Sequence, residues 1–277
     1  MGFWSDLGKG ISSHVRGIEF ISKHTLWHYF AYPLLILVLL FFGGYWSILG
    51  LSDWLVEKAL DYFGLAGNHE EGWLGWLQAA GTFVVSFILK LVFLLIFSSY
   101  LKYIVLIVCS PILALLSERI DEIISNKTYP FNLSQFLHDM LRGILVTLRN
   151  LALETVIILG CFVVGFLPII GPILALIAYP FLHIVAWYFM GFAMMDYSYE
   201  RMRMTIGEGT RFTRKHKGIA VGNGFIFSMI LLIPFVGVII APILSVVAAT
   251  LAVLEIKQEE AKQQQSQNFA GQGMIQQ

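Results

Sequence analysis

Charge is what this chain lacks most: Asp, Glu, Lys and Arg make up only 13% of its 277 residues, and they cancel to a formal net charge of +0. An ordinary soluble domain carries charge on about a quarter of its residues. With 57% hydrophobic residues and a mean hydropathy of +0.75, much of the surface must meet lipid rather than water. The missing excess of basic residues gives no footing for a nucleic-acid partner. Cysteine is scarce as well: Cys109 and Cys161 lie in apolar runs without metal-ligand or Cys-x-x-Cys spacing and read as packing residues. No secretory leader is visible, because residues 1–28 mix polar and apolar and the first long apolar run starts at Tyr29. The sequence shows no nucleophile with its base, no paired carboxylates at depth and no metal-binding cluster, so no catalytic residue, metal or cofactor is expected. The Gly-Glu-Gly at 207–209 and Gly-Asn-Gly at 222–224 follow no strand, which removes a nucleotide reading.

What the chain does have is a succession of apolar segments, read together as one membrane domain over residues 1–256. Residues 1–28 interleave Phe3, Trp4, Leu7, Ile11, Val15 and Ile18 with Lys9, Arg16 and Lys23, the pattern of an interfacial helix. Residues 29–51 are uncharged and number about twenty, enough to cross roughly 30 Å of hydrocarbon. An acidic loop with Asp53, Glu57, Asp61, Glu70 and Glu71 against a lone Lys58 separates them from a second span over 73–102. Lys90 inside that span would cost about 2.5 to 3.5 kcal/mol at the bilayer centre, so it reads as half of an interhelical pair, a snorkelling group or an anion attractor. Residues 111–150 form an amphipathic cytoplasmic region, with Leu133, Leu137, Leu141, Leu145 and Leu148 at helical spacing. The Gln-rich tail, 257–277, reads as disordered or as a frayed helix end.

Two apolar runs, 154–196 and 218–254, contain helix breakers: Pro168, Gly171 and Pro172 in the first, Pro234, Gly237 and Pro242 in the second. Proline removes an amide donor and clashes with the preceding turn, so each run is expected to fold back as a hairpin with these residues at its tip. Each arm of the last hairpin spans about fifteen residues, roughly 22 Å of helix, short of a full crossing. A re-entrant hairpin follows, with kinked but complete crossings as the alternative. The fold class is therefore an all-α integral membrane protein, with two long transmembrane helices and two Pro/Gly-broken helical hairpins.

Basic residues order the topology. Apart from Lys58 and the intramembrane Lys90, the clusters from Lys9 to Lys23, Arg119 to Arg149, Arg201 to Lys217 and Lys257 to Lys262 can share one face. By the positive-inside rule that face is cytoplasmic, both termini lie on it, and the acidic loop lies opposite. The arginines nearest the apolar boundaries are Arg142 and Arg149 before the first hairpin and Arg201 and Arg203 after it. They are the candidate donors to an anion, because a planar guanidinium grips an oxyanion through two hydrogen bonds. Asp196 is expected to pair loosely with Arg203 or Arg149, and Glu154 to pair with Arg149.

Four segments carry a family likeness: "YFAYPLLILVL" at 29–39, "CSPILALLSERID" at 109–121, the stretch from Phe166 to Met204, and "LIPFVGVIIAPILSVVAATLAV" at 232–253. In this order they resemble the CysZ sulfate permeases and the wider etoposide-induced-protein superfamily. The resemblance implies two spanning helices, two partly penetrating hairpins, a homo-oligomer in a bacterial inner membrane, and sulfate as the transported anion. The family's Gly-Leu-Arg segment, credited with binding sulfate, falls here on Thr25-Leu26-Trp27-His28; the arginine is absent, and Thr25 and His28 are the donors left. The expected function is a transporter or channel for a small anion, with a non-transporting membrane scaffold or lipid organiser as the alternative. An enzyme would need an ionisable pair at depth, for which only Lys90 and Glu154 are at hand.

Overall fold

A computed structural model describes residues 2–39, 45–62, 73–126, 132–165, 171–233 and 235–275. Pro168 and Pro234 lie outside the described residues. The described residues are helical almost throughout and contain no strand. In chain order the helices are α1 (Phe3–Lys23), a short 3-10 helix (Leu26–Phe30), α2 (Ala31–Leu39), α3 (Tyr45–Tyr62), α4 (Trp73–Ser125), α5 (Leu133–Gly165), α6 (Gly171–Arg201), α7 (Ile206–Lys215), α8 (Lys217–Leu231) and α9 (Val236–Ile275). Among the described residues four stretches are long and apolar enough to cross a membrane: Tyr100–Ser125, Leu133–Gly165, Leu176–Arg201 and Val236–Lys262. The chain is an all-α integral membrane protein.

The helices sort into two compact units, residues 35–104 and residues 1–34 with 105–277. In the smaller unit Lys90 of α4 meets Asp53 of α3 at 2.6 Å, an interhelical ion pair. In the larger unit α1, α6, α8 and α9 enclose a core that includes Ile21, Phe192, Met194, Phe227, Val246 and Val253.

Glycines set how close these helices come. A methyl group on Gly191 would stand 1.8 Å from the carbonyl oxygen of Ala220, and one on Gly224 would stand 1.8 Å from that of Trp187, so α6 and α8 touch backbone to backbone. Gly218 and Gly222, one turn apart on α8, admit α1 in the same way, with 2.3 Å to the Phe3 carbonyl and 2.6 Å to that of Leu7. Small residues at this spacing are how helices associate where lipid removes the hydrophobic drive. The glycines of "GNG" thus serve packing. The buried His216 adds a polar tie, 3.3 Å from Asp6 of α1 and 3.5 Å from Glu260 of α9.

Pro-Ile-Leu occurs three times, at 111–113, 172–174 and 242–244, and the three prolines sit differently in their helices. Pro172 is the second residue of α6, in the first turn, where its missing amide costs nothing. Pro111 and Pro242 lie inside α4 and α9, each giving up one hydrogen bond of its helix. Gly237 stays at the tip, its amide donating to the Ile233 carbonyl at 2.8 Å. The arms of the second hairpin are consequently unequal. α8 has 15 residues, while α9 has 40, because the Gln-, Glu-, Lys- and Ala-rich sequence after the apolar run consists of good helix formers. The start of that stretch is docked as well: Lys9 reaches Glu259 at 2.6 Å, Arg16 reaches Glu255 at 2.6 Å, and the Lys257 ammonium sits 4.6 Å from the Phe212 ring centre.

On α5 the leucine stripe faces out. Leu133, Leu137, Leu141, Leu145 and Leu148 are exposed, whereas Asp139, Gly143, Thr147, Asn150 and Glu154 are buried. A helix with its polar side inward and its apolar side outward belongs in lipid. At 33 residues, or about 50 Å, it is also longer than the hydrocarbon core is thick.

Candidate functional site

α5 and α6 run side by side, and their inward polar residues meet at the open end of the hairpin. Arg142 donates from Nε to Asp196 Oδ2 at 2.9 Å, from Nη2 to Asp196 Oδ1 at 3.0 Å and from Nη1 to the Met204 carbonyl at 2.7 Å. Both side chains are nearly closed to solvent, with 11% and 3% exposed. Asp196 therefore pairs with Arg142 through both oxygens, in place of the loose contact expected with Arg203 or Arg149. The reason is helical phase: Arg142 projects inward beside Gly143, against which the Tyr197 ring packs, and that brings α5 close enough for a two-point contact.

Arg201 turns back to Asp139 and lies 3.8 Å from Glu118 of α4. Glu200 contacts His138 at 3.2 Å. Arg203 is exposed in the left-handed region, φ 56°, where its amide donates to the Glu200 carbonyl at 2.8 Å and ends α6. Just beyond, Thr205 and Glu208 cap α7 reciprocally, and the Thr205 backbone amide, then its hydroxyl, hold the Glu208 carboxyl below its usual range.

Arg149 stands apart from these carboxylates. It donates to Thr210 Oγ1 at 3.3 Å rather than to Glu154, and its guanidinium lies 5.6 Å from the Phe192 ring centre. It lines a cavity of about 260 Å³ with Asn150, Tyr188, Thr210 and Arg214. Asn150 donates to the Phe189 carbonyl at 3.1 Å while its own Oδ1 is buried without a partner. The two guanidiniums at one small cavity suit an oxyanion, while the Thr210 hydroxyl accepts from Arg149 and donates to the Ile206 carbonyl at 2.7 Å and so adds no donor. A larger cleft of about 540 Å³, lined by Phe3, Ile157, Ile184 and Val185 among others, is almost wholly apolar and suits lipid.

Of the candidate donors read from sequence, the structure thus brings Arg142 and Arg201 into one carboxylate network and places Arg149 at a cavity. Thr25 and His28 are exposed on the turn after α1, where the His28 ring nitrogen lies 3.2 Å from the Thr25 carbonyl, and Arg203 is exposed at the end of α6. Sequence reasoning missed Arg214, read only as part of the basic cluster from Arg201 to Lys217. It also missed His138, Asp139 and Glu200, since 62 residues separate His138 from Glu200 and no spacing motif links them.

An all-helical membrane protein with a charged network at the mouth of a helical hairpin and an arginine-lined cavity beside it is the class these observations define. The chain belongs to the family described as Sulfate transporter CysZ/Etoposide-induced protein 2.4, whose family model matches residues 13–242. It is also similar to a protein named Sulfate transporter CysZ from Pectobacterium atrosepticum, 24% identical over 235 residues that make up 84% of this chain and 80% of the relative.

Proposed function

We propose that the protein transports a small inorganic oxyanion, sulfate or one of like shape, across a bacterial inner membrane. The observation that carries this reading is the cavity shared by Arg149 and Arg214, the described site where guanidiniums face open space instead of a bound carboxylate. Arg142 and Arg201 are paired with Asp196 and Asp139 and serve as struts for the hairpin mouth. The name of the relative supports sulfate, and the missing arginine at Thr25-Leu26-Trp27-His28 moves the anion's grip from the first helix to α5 and α7. The chain assembles as a homo-oligomer with both termini cytoplasmic, and its hairpin tips enter the bilayer from that side.

The test is sulfate flux into proteoliposomes against protein-free vesicles, with Arg149→Lys, Arg149→Gln and Arg214→Lys reconstituted at matched protein. A charged hydrogen bond is worth about 1.5 to 3 kcal/mol, so flux should fall at least about tenfold already with lysine, which keeps the charge and loses the fork. Wild-type vesicles that pass neither sulfate nor another oxyanion, and instead redistribute their lipids, would establish the scaffold reading.

A further inference from the structure

We infer that the cleft between α1, α5, α6 and α8 binds an anionic phospholipid, with an acyl chain along its apolar wall and the headgroup phosphate at Lys217. The cleft measures about 540 Å³ and has Phe3, Ile157, Ile184, Val185 and Val221 in its wall. A second cleft of about 270 Å³, lined by apolar side chains alone, adjoins it and shares Phe3, Ile184 and Val221. The two together offer a place for each chain of a diacyl lipid. Concave surface this apolar, in a protein that spans a membrane, is covered by hydrocarbon in preference to water.

The charge at the rim selects the headgroup. Lys217 is the charged member of the described lining, is exposed, and opens α8, whose first turn holds no acidic residue. Among the described residues it enters no ion pair, whereas its neighbour Lys215 is held by Glu260 at 2.5 Å. Asp6 of α1, beside Gly218, is turned to His216 at 3.3 Å. Lys217 and Val221 stand one turn apart on the same face of α8, so one lipid can meet both with its phosphate and its chain. An ammonium without a carboxylate at the edge of an apolar cleft matches a lipid of net negative charge. A zwitterionic lipid brings its own ammonium, which competes with the lysine for the phosphate.

α1 sets the depth of this rim. Its Asp6, Gly10, His14 and Gly17 are buried, while Trp4, Ile11, Val15 and Ile18 are exposed at helical spacing, which fits a helix lying in the membrane interface. The first turn of α1 touches the first turn of α8, where a methyl group on Gly218 would stand 2.3 Å from the Phe3 carbonyl oxygen. Lys217 is therefore level with the outer face of α1, where headgroup phosphates lie. The inference uses neither Arg149 nor Arg214 and stands apart from the oxyanion reading.

Detergent-purified full-length protein is titrated with phosphatidylglycerol and with phosphatidylcholine of the same chains, and bound lipid is read by native mass spectrometry. Phosphatidylglycerol should bind about fivefold more tightly, the value of one lysine facing an anionic lipid. Lys217→Gln should erase this preference and Lys217→Arg should keep it. Arg211→Gln, which removes the same charge from an exposed position of α7 that does not line the cleft, should leave it unchanged. Ile184→Trp, at an exposed position on the wall, fills the cleft and should weaken both lipids about tenfold, the loss of roughly two buried methylenes. Inorganic phosphate should displace neither lipid. Equal binding of the two lipids, a preference that survives Lys217→Gln or is lost equally in Arg211→Gln, unchanged binding by Ile184→Trp, or displacement by inorganic phosphate would each overturn the site.

Discussion

Arg142 shows what a buried charge does once its partner is fixed. Two hydrogen bonds to Asp196 and one to the Met204 carbonyl engage each of its three nitrogens, so the pair stiffens the hairpin mouth. Replacing one partner strands the other: Asp196→Ala should destabilise the protein by about 3 to 5 kcal/mol, while the double change Asp196→Leu with Arg142→Met should recover most of that loss. Chemical denaturation in detergent separates the two outcomes. His14 offers a pH-dependent counterpart. It is buried in α1, with Nδ1 at 3.1 Å from the Gly10 carbonyl and Nε2 at 3.2 Å from the Ser245 hydroxyl, and burial lowers its pKa to about 4 against the opposing pull of the Gly10 carbonyl. The unfolded chain takes up a proton on this ring below about pH 6.5, and the folded chain does not until about 4. Its contribution is thus complete above pH 6.5 and lost as the pH falls toward 4, by up to about 3 kcal/mol. Melting curves of His14→Gln across that window should be flatter than those of the wild type, and identical slopes would assign the pH dependence to another group.

Among the helices, α8 depends most on a single residue type. Gly218, Gly222 and Gly224 let α1 on one side and α6 on the other approach its backbone. Gly224→Ala puts a methyl group 1.8 Å from the Trp187 carbonyl, and since that atom is backbone, α6 and α8 must part. The expected cost is about 3 kcal/mol, the upper end for overpacking, seen as loss of folded protein after detergent extraction. Gly8→Ala, where the methyl group would find nothing within 4 Å, is the control and should be neutral or slightly stabilising. α5 teaches a different lesson. Its leucine periodicity is plain in the sequence, but periodicity marks an apolar face without saying whether protein or lipid covers it. Only packing against α6 shows the stripe turned outward and Asp139, Arg142 and Asn150 turned in.

At the scale of the whole molecule, the direction in which the hairpins face and the depth they reach decide which sites can be labelled from outside. The proposed orientation, with both termini cytoplasmic, predicts that single cysteines at Asn68 and Glu70, in a background lacking Cys109 and Cys161, react with an impermeant reagent from outside. Sites at Lys127, Glu208 and Asn268 should stay unlabelled. Rapid outside labelling at Ile170 and Val238 would make the hairpins full crossings. Asn68, Glu70, Lys127 and Ile170 lie outside the described residues, so this reading rests on the distribution of Lys and Arg.

The membrane setting, the helical class, the approximate positions of the breaks and the family likeness were determined by the sequence alone. Each depends on quantities local along the chain: hydropathy summed over a helix length, the backbone chemistry of glycine and proline, and ordered motifs. The pairings were decided by tertiary structure. Arg142 and Asp196 are 54 residues apart, His138 and Glu200 62 residues apart, and Arg149 and Thr210 61 residues apart, so nothing in local spacing foretells which arginine is bound by a carboxylate and which faces a cavity. Those outcomes depend on the rotation of each helix about its axis. That rotation is fixed where glycine lets two backbones touch, as at Gly191 against Ala220 and Gly224 against Trp187.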